Sequence, residues 1–110
     1  MKLVVGGSFQ GKYEFAKQHW KEENPEIWNQ LHLFIRTCLE ESRCPEEEIA
    51  EYIELHPNCI LISDEIGNGI VPVDAFEREY RERCGRILVE LARQADEVVR
   101  VTCGIGQKIK

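Results

Sequence analysis

The apolar positions of the chain fall into short continuous runs separated by stretches with helical spacing. Residues 2–5 are predicted to form a short buried strand that is mostly β-branched, and the continuous apolar run of residues 59–62 is typical of a strand buried on both faces. Residues 98–102 are predicted to form a third strand. Because helical patterns separate the runs, the sequence predicts an α/β fold with parallel strands and right-handed crossovers.

Four stretches have the three- and four-residue spacing of an amphipathic helix. In the clearest of them Asn24 is expected to cap the helix and Pro25 to take its first position, where a missing N–H costs nothing. Asp74 is expected to cap the longest. The glycines and proline of residues 64–72 predict a loop. The predicted helices cover residues 12–23, residues 25–39, residues 46–55 and the segment after Asp74.

Three strands make a small sheet, whose edges are either bare or covered by a second subunit. Trp28, Phe34 and Ile35 add more apolar surface to one predicted helix than such a sheet readily covers, which predicts a homo-oligomer. The length suits one compact domain, residues 1–110.

Composition narrows the function classes. The net charge of -6 and the pI near 5.1 argue against nucleic-acid binding, which requires a basic face. No apolar run is long enough for a signal peptide or a membrane span. The five cysteines are odd in number and lack C-x-x-C spacing, so we expect reduced thiols in a cytoplasmic protein rather than a zinc site.

The first predicted strand leads into a glycine-rich motif, G-x-x-x-x-G-K-[ST], in which Tyr13 replaces the final Ser or Thr. In such loops backbone N–H groups at a helix start hold phosphates, and the lysine adds positive charge. The tyrosine hydroxyl lies too far from its backbone to ligate Mg²⁺ as a serine would. A strand–helix turn that binds nothing is the alternative. The residues expected to contact a nucleotide are Gly6, Gly7, Ser8, Gln10, Gly11, Lys12 and Tyr13.

Two acidic residues, Asp64 and Glu65, end the second predicted strand. Ligands of open α/β sheets lie beyond the carboxyl ends of the strands. One of the pair is therefore expected to face the glycine loop and to hold Mg²⁺ or a water molecule, since neighbouring strand residues point to opposite faces. The alternative is a pair of solvated loop acids.

Two long segments carry a family resemblance: VVGGSFQGKYEFA near the start, and ILISDEIGNGIVPVDAFEREYRERCGRILVELARQADEVVRVTCGI from Ile60 to Ile105. They resemble the bifunctional adenosylcobinamide kinase / adenosylcobinamide-phosphate guanylyltransferase family, which assembles the nucleotide loop of cobalamin. The resemblance implies a P-loop-type three-layer sandwich, here with a small parallel sheet of about three strands. It also implies ATP or GTP, Mg²⁺, a corrinoid acceptor and oligomers. Residues 24–57 match only as helix.

The departures from the family pattern concern chemistry. The family has Ser where this chain has Tyr13 and Asn where it has Asp64, and its middle segment, with the histidine that takes the guanylyl group, has no counterpart here. His32 with Arg36 mimics that histidine's spacing but lies in a later helix, so its role is not carried over. We therefore expect reduced or lost guanylyl transfer. In a remaining kinase Lys12 would clamp phosphate, Asp64 would bind metal and Glu65 would orient the acceptor. A non-catalytic binding or structural subunit is the alternative, and a separate protein supplying the missing segment stays open.

Overall fold

Five strands form one mixed sheet in the order β2-β3-β1-β4-β5 in the computed structural model, which describes residues 1–66 and 73–110. Within these residues the sheet is accompanied by four α-helices and one short 3₁₀ turn, Lys21–Glu23. The elements are β1 Lys2–Gly6, α1 Lys12–His19, β2 Ile27–Trp28, α2 Leu31–Glu40, α3 Pro45–Leu55, β3 Ile60–Asp64, α4 Ala75–Gln94, β4 Glu97–Thr102 and β5 Ile105–Lys108.

The three predicted strands are β1, β3 and β4, and they form the parallel centre of the sheet. The prediction of about three strands is wrong in number, because a strand is added at each edge. The strand β5 returns antiparallel to β4 through a two-residue turn. Cys103 and Gly104 both have positive φ there, 51° and 76°, as expected of the tight turns whose twist matches a hairpin.

The strand β2 corrects the helix predicted over residues 25–39. Ile27 and Trp28 pair in parallel with β3 instead of continuing a helical face. Gln30 then takes a left-handed conformation, φ 57°, and α2 begins only at Leu31. Two neighbouring apolar residues are compatible with a short edge strand as well as with a helix, so the hydrophobic periodicity could not distinguish the strand from the helix. The helix predicted over residues 12–23 likewise ends at His19.

Two apolar clusters cover the two faces of the sheet, giving three layers. Leu3, Val5 and Leu61 point to the face packed against α2, α3 and α4. Their neighbours Val4 and Ile62 point the other way, toward Ala16 and Trp20 around α1. This alternation is the two-residue period of strands that are buried on both faces.

The apolar side chains that motivated an oligomer pack against other residues of the chain. Ile35 is fully buried. The ring of Trp28 lies 4.8 Å from that of Phe34 and 4.6 Å from that of Tyr52, measured between centroids. These side chains therefore have packing partners within the chain, although Trp28 and Phe34 are only partly buried, and the homo-oligomer stays a prediction.

The predicted start of the long helix is confirmed, because the Asp74 carboxylate accepts a hydrogen bond from the backbone N–H of Glu77 at 3.1 Å. Of the predicted loop at residues 64–72, Asp64 ends β3 and residues 67–72 lie outside the described residues. None of the described helices is both long and apolar enough to cross a membrane.

Gly6 and Gly85 provide a matched pair of glycine substitutions. A Cβ at Gly6 would lie 2.4 Å from the carbonyl oxygen of Val101, whereas a Cβ at Gly85 in α4 meets nothing within 4 Å. We expect Gly6→Ala to lower the free energy of unfolding by about 1–3 kcal/mol through overpacking. Gly85→Ala should raise it by up to about 1 kcal/mol through helix propensity. Urea unfolding of both variants measures this, and equal effects would contradict the close approach at Gly6.

Candidate functional site

The glycine loop and Asp64 meet at one edge of the sheet because β1 and β3 are parallel and in register. Gly6, the last residue of β1, is paired with Asp64, the last residue of β3. The loop that leaves β1 therefore passes directly over the carboxylate that ends β3. The glycine loop and Asp64 thus share one edge of the sheet, as the sequence predicted, and it is the edge at which open α/β sheets generally bind ligands.

The loop closes on the first turn of α1. Gly11 takes a left-handed conformation, φ 83°, and its carbonyl accepts from the backbone N–H of Phe15 at 2.9 Å, which starts the helix. The positive end of the helix dipole thus faces a cavity of about 300 Å³. The cavity is lined by the loop, the start of α1, residues 29–30, His32 and Asp64.

Lys12 lies beneath the loop with 7% of its surface exposed. Its ammonium donates to the carbonyl oxygen of Gly7 at 2.6 Å and lies 2.7 Å from Asp64 Oδ1. The expected lysine is therefore at the cavity, but its charge is already paired with the carboxylate. An incoming phosphate would have to share Lys12 with Asp64.

Both oxygens of Asp64 have partners. Oδ2 accepts from the Ser8 hydroxyl at 2.7 Å and lies 3.4 Å from His32 Nε2. Burial works to raise the pKa of Asp64, but the hydrogen bonds from Lys12 and Ser8 and the electrostatic effect of His32 and Lys12 outweigh it, so the pKa is lowered. Asp64 is thus held as a carboxylate, facing the loop.

His32 joins this cluster from the first turn of α2. Its Nδ1 accepts from the backbone N–H of Asp64 at 3.1 Å, so the ring is neutral with its proton on Nε2, toward the carboxylate. Burial lowers its pKa, opposed by Asp64 and assisted by Lys12. The position of His32 at the cavity was not predicted, because Ile27 and Trp28 were expected to lie in a helix. Recognising β2 would have placed the start of α2 at the same edge.

Glu65 lies on the other side of the strand end. Its carboxylate accepts from Arg100 at 2.7 Å and 3.0 Å, and its backbone N–H donates to the carbonyl of Gly6 at 2.8 Å. It does not line the cavity. Of the two acids only Asp64 faces the loop, as the alternation of strand residues predicted.

Gln10 fastens the loop to the turn between β4 and β5. Its side-chain oxygen accepts from the backbone N–H of Cys103 at 2.6 Å, and its carbonyl accepts from Gly104 at 2.8 Å. Gln10 is thus a structural bridge as well as part of the cavity wall. No pattern in the sequence joins two segments so far apart.

Tyr13 lies at the wall of the cavity and is partly open to solvent. Its side chain is 38% exposed, with the Lys17 ammonium 5.1 Å from the ring centroid. Asp64, the expected metal ligand, is engaged by Lys12 and Ser8. No group of three or more His, Cys, Asp or Glu side chains that could hold a metal ion occurs in residues 1–66 and 73–110. This donor set does not fit Mg²⁺, and no chemical step is assigned to it.

His32 makes folding sensitive to acid. Its folded pKa lies below the ordinary 6.5, so below that pH the unfolded chain binds protons that the folded chain does not, and stability falls as the pH falls. His32→Asn retains an acceptor for the Asp64 N–H without a proton-binding ring. We expect its free energy of unfolding to fall less steeply between pH 8 and pH 5 than that of the unchanged protein. The control is His56→Asn, because His56 follows the last residue of α3 and does not line the cavity. Parallel curves for all three proteins would contradict this.

The strand, glycine turn and helix around a buried lysine define an α/β protein with a phosphate-loop motif at the carboxyl edge of its sheet. More particularly, the chain belongs to the cobinamide kinase / cobinamide phosphate guanyltransferase family, whose model matches residues 27–109. It is 36% identical over 99 residues to the bifunctional adenosylcobalamin biosynthesis protein CobU of Salmonella typhimurium, covering 81% of this chain and 47% of that protein.

A second relative, CobU of Escherichia coli, is 45% identical over 51 residues, covering 46% of this chain and 28% of that protein. The chain thus spans about half or less of the length of the curated relatives it matches. The family resemblance noted in the sequence is confirmed. The match to the family model begins at residue 27 and does not include the glycine loop.

Proposed function

We propose that the chain binds the phosphates of ATP or GTP in the glycine-loop cavity and acts as a reduced relative of the cobinamide kinase / guanylyltransferase. The observation that carries the proposal is the buried Lys12, whose ammonium lies between a loop carbonyl and Asp64 at the start of α1. A buried cation beside a helix N-terminus attracts a multiply charged anion.

Phosphoryl transfer depends mainly on positioning and on charge stabilisation, so this arrangement supports binding more directly than it supports catalysis. Lys12 and the loop N–H groups would hold the phosphates. Glu65, proposed to orient an acceptor hydroxyl, would first have to leave Arg100. The name of the family model supports a corrinoid alcohol as the acceptor. Residues 1–110 would act as one binding unit.

The guanylyl-transfer half of the family's chemistry is proposed to be reduced or lost. The resemblance implies a middle segment bearing the nucleotide-accepting histidine, and this chain leads from the glycine loop to α2 without it. His32 is at the site, yet its Nδ1 is occupied by the Asp64 N–H, and its Nε2 faces a carboxylate. That pairing favours a role in holding Asp64.

A non-catalytic binding subunit is the second candidate. The neutralisation of Lys12 by Asp64 favours it, since a charge clamp paired within the protein has less free charge for a transition state. The experiment is a thermal-shift panel with ATP, GTP and their diphosphates, with and without Mg²⁺, followed by an assay of phosphate transfer to a corrinoid alcohol. Binding without transfer supports the subunit, transfer supports the kinase, and no shift with any nucleotide overturns both.

A further inference from the structure

A second groove adjoins the phosphate cavity on the outer side of α1. It has a volume of about 360 Å³ and lies between α1 and the turn that joins β4 to β5. Gly11 and Glu14 border both the groove and the phosphate cavity, so the two are continuous. A volume above about 300 Å³ is sufficient for a small organic ligand.

The groove has the length that a nucleoside needs. Lys12 marks the phosphate end, and Gln18 and His19 line the other end of the groove. Six residues of helix separate Lys12 from Gln18, which is about 9 Å at 1.5 Å per residue. That distance is comparable to the reach from a polyphosphate across a ribose to a base.

An aromatic pair forms one end of the groove. The rings of Phe15 and His19 are stacked, with centroids 4.9 Å apart and planes 16° from parallel. The Phe15 ring is fixed from behind, because it lies directly over Gly106, where a Cβ would approach it to 2.2 Å. A flat, immobilised aromatic surface suits stacking by a planar base, whatever its identity.

Two polar side chains on the same face of α1 have no polar partner within the described residues. Glu14 and Gln18 are four residues apart, and neither makes a hydrogen bond or ion pair with any residue of the described segments 1–66 and 73–110. Glu14 stands where the groove meets the phosphate cavity, which is the place of a ribose. Carboxylates accept hydrogen bonds from ribose hydroxyls in dinucleotide-binding folds, so a carboxylate beside a phosphate cavity has the chemistry that a ribose needs.

We infer that this groove holds the ribonucleoside of the nucleotide whose phosphates occupy the glycine loop. Glu14 accepts a hydrogen bond from a ribose hydroxyl, and the Phe15–His19 pair stacks on the base. The inference rests on the proposed function. It adds that the protein should bind ribonucleotides more tightly than deoxyribonucleotides, because of Glu14, and more tightly than bare polyphosphate, because of the Phe15–His19 pair.

The test is calorimetric titration with tripolyphosphate, GTP, ATP and their 2′-deoxy forms. The unchanged protein should bind the ribonucleotides about 5- to 100-fold more tightly than tripolyphosphate, the range that one stacked base provides. His19→Ala should bring that ratio toward one while leaving tripolyphosphate binding unchanged. Glu14→Ala should remove the preference for ribose over 2′-deoxyribose. The quantity compared is the ratio of the two dissociation constants, because the loss of a negative charge also changes phosphate binding itself.

His56→Ala and Glu51→Ala are the matched controls, since both positions lie on or beside α3 on the opposite face of the sheet, and both ratios should be unchanged in them. Equal binding of tripolyphosphate and nucleotides, or ratios that neither groove variant alters, would overturn the groove while leaving phosphate binding intact. Failure of tripolyphosphate and all nucleotides to bind would overturn the proposed function and this inference together.

Discussion

Replacing Lys12 by methionine is expected to abolish the stabilisation of this protein by nucleotides. Methionine keeps an unbranched apolar side chain in the buried position beneath the glycine loop, but it lacks the ammonium that would face the phosphates. A ligand present at 100 times its dissociation constant stabilises a protein by about 2.7 kcal/mol, so the whole of that increment should vanish. Thermal unfolding with and without ATP or GTP measures it.

Lys12→Met is also expected to change the stability of the protein in the absence of any ligand. It removes the main charge partner of Asp64, so the unliganded variant should also be less stable than the unchanged protein. Lys21→Met on the 3₁₀ turn is the control, because that side chain is exposed and remote from the cavity. Nucleotide stabilisation that survives Lys12→Met undiminished would show that the glycine loop is not the phosphate site.

The centre of the fold could be predicted from the sequence, and its edges could not. The runs at β1 and β3 are buried on both faces, a pattern with few alternatives, and β4 contributes three buried valines. The strand β2 has only two residues, Ile27 and Trp28, and its pairing with β3 is a long-range choice that local spacing does not encode. The strand β5 is mostly exposed, so it carries no hydrophobic signal.

The candidate site divides in the same way. Lys12 and Asp64 were predictable because a motif fixes the loop and because parallel strands end at one edge. His32 was not, since its position depends on where α2 begins. The bridge from Gln10 to Cys103 and Gly104 was not either, because it joins residues more than ninety positions apart through backbone groups.

The pairing of Asp64 with Lys12 decides which of two outcomes Asp64→Asn should have. The glycine loop lacks the usual hydroxyl at Tyr13, and the strand end carries a carboxylate where the family has a neutral amide. If Asp64 compensated for the hydroxyl by binding Mg²⁺, Asp64→Asn would weaken Mg²⁺-nucleotide binding and Tyr13→Ser would restore it. If it does not, the carboxylate opposes the phosphates, and its removal should strengthen binding.

The contacts favour the second outcome, a phosphate loop with impaired metal chemistry. Asp64 Oδ1 lies 2.7 Å from the Lys12 ammonium and Oδ2 accepts from Ser8, so its oxygens are committed within the protein. Two like charges about 4 Å apart repel by about 4 kcal/mol at an effective dielectric of 20. Relief of that repulsion sets an upper limit of about three powers of ten in affinity. Asparagine can still accept from Ser8, so the loop should remain folded.

Titration of Asp64→Asn with ATP and GTP, with Mg²⁺ and with a chelator, measures the change. We expect tighter binding than in the unchanged protein and the same affinity in both conditions. Glu65→Gln is the control, because its carboxylate is held by Arg100 outside the cavity and its loss should leave the dissociation constant unchanged. Tight, Mg²⁺-dependent binding by the unchanged protein that is lost in Asp64→Asn would instead assign the carboxylate to the metal.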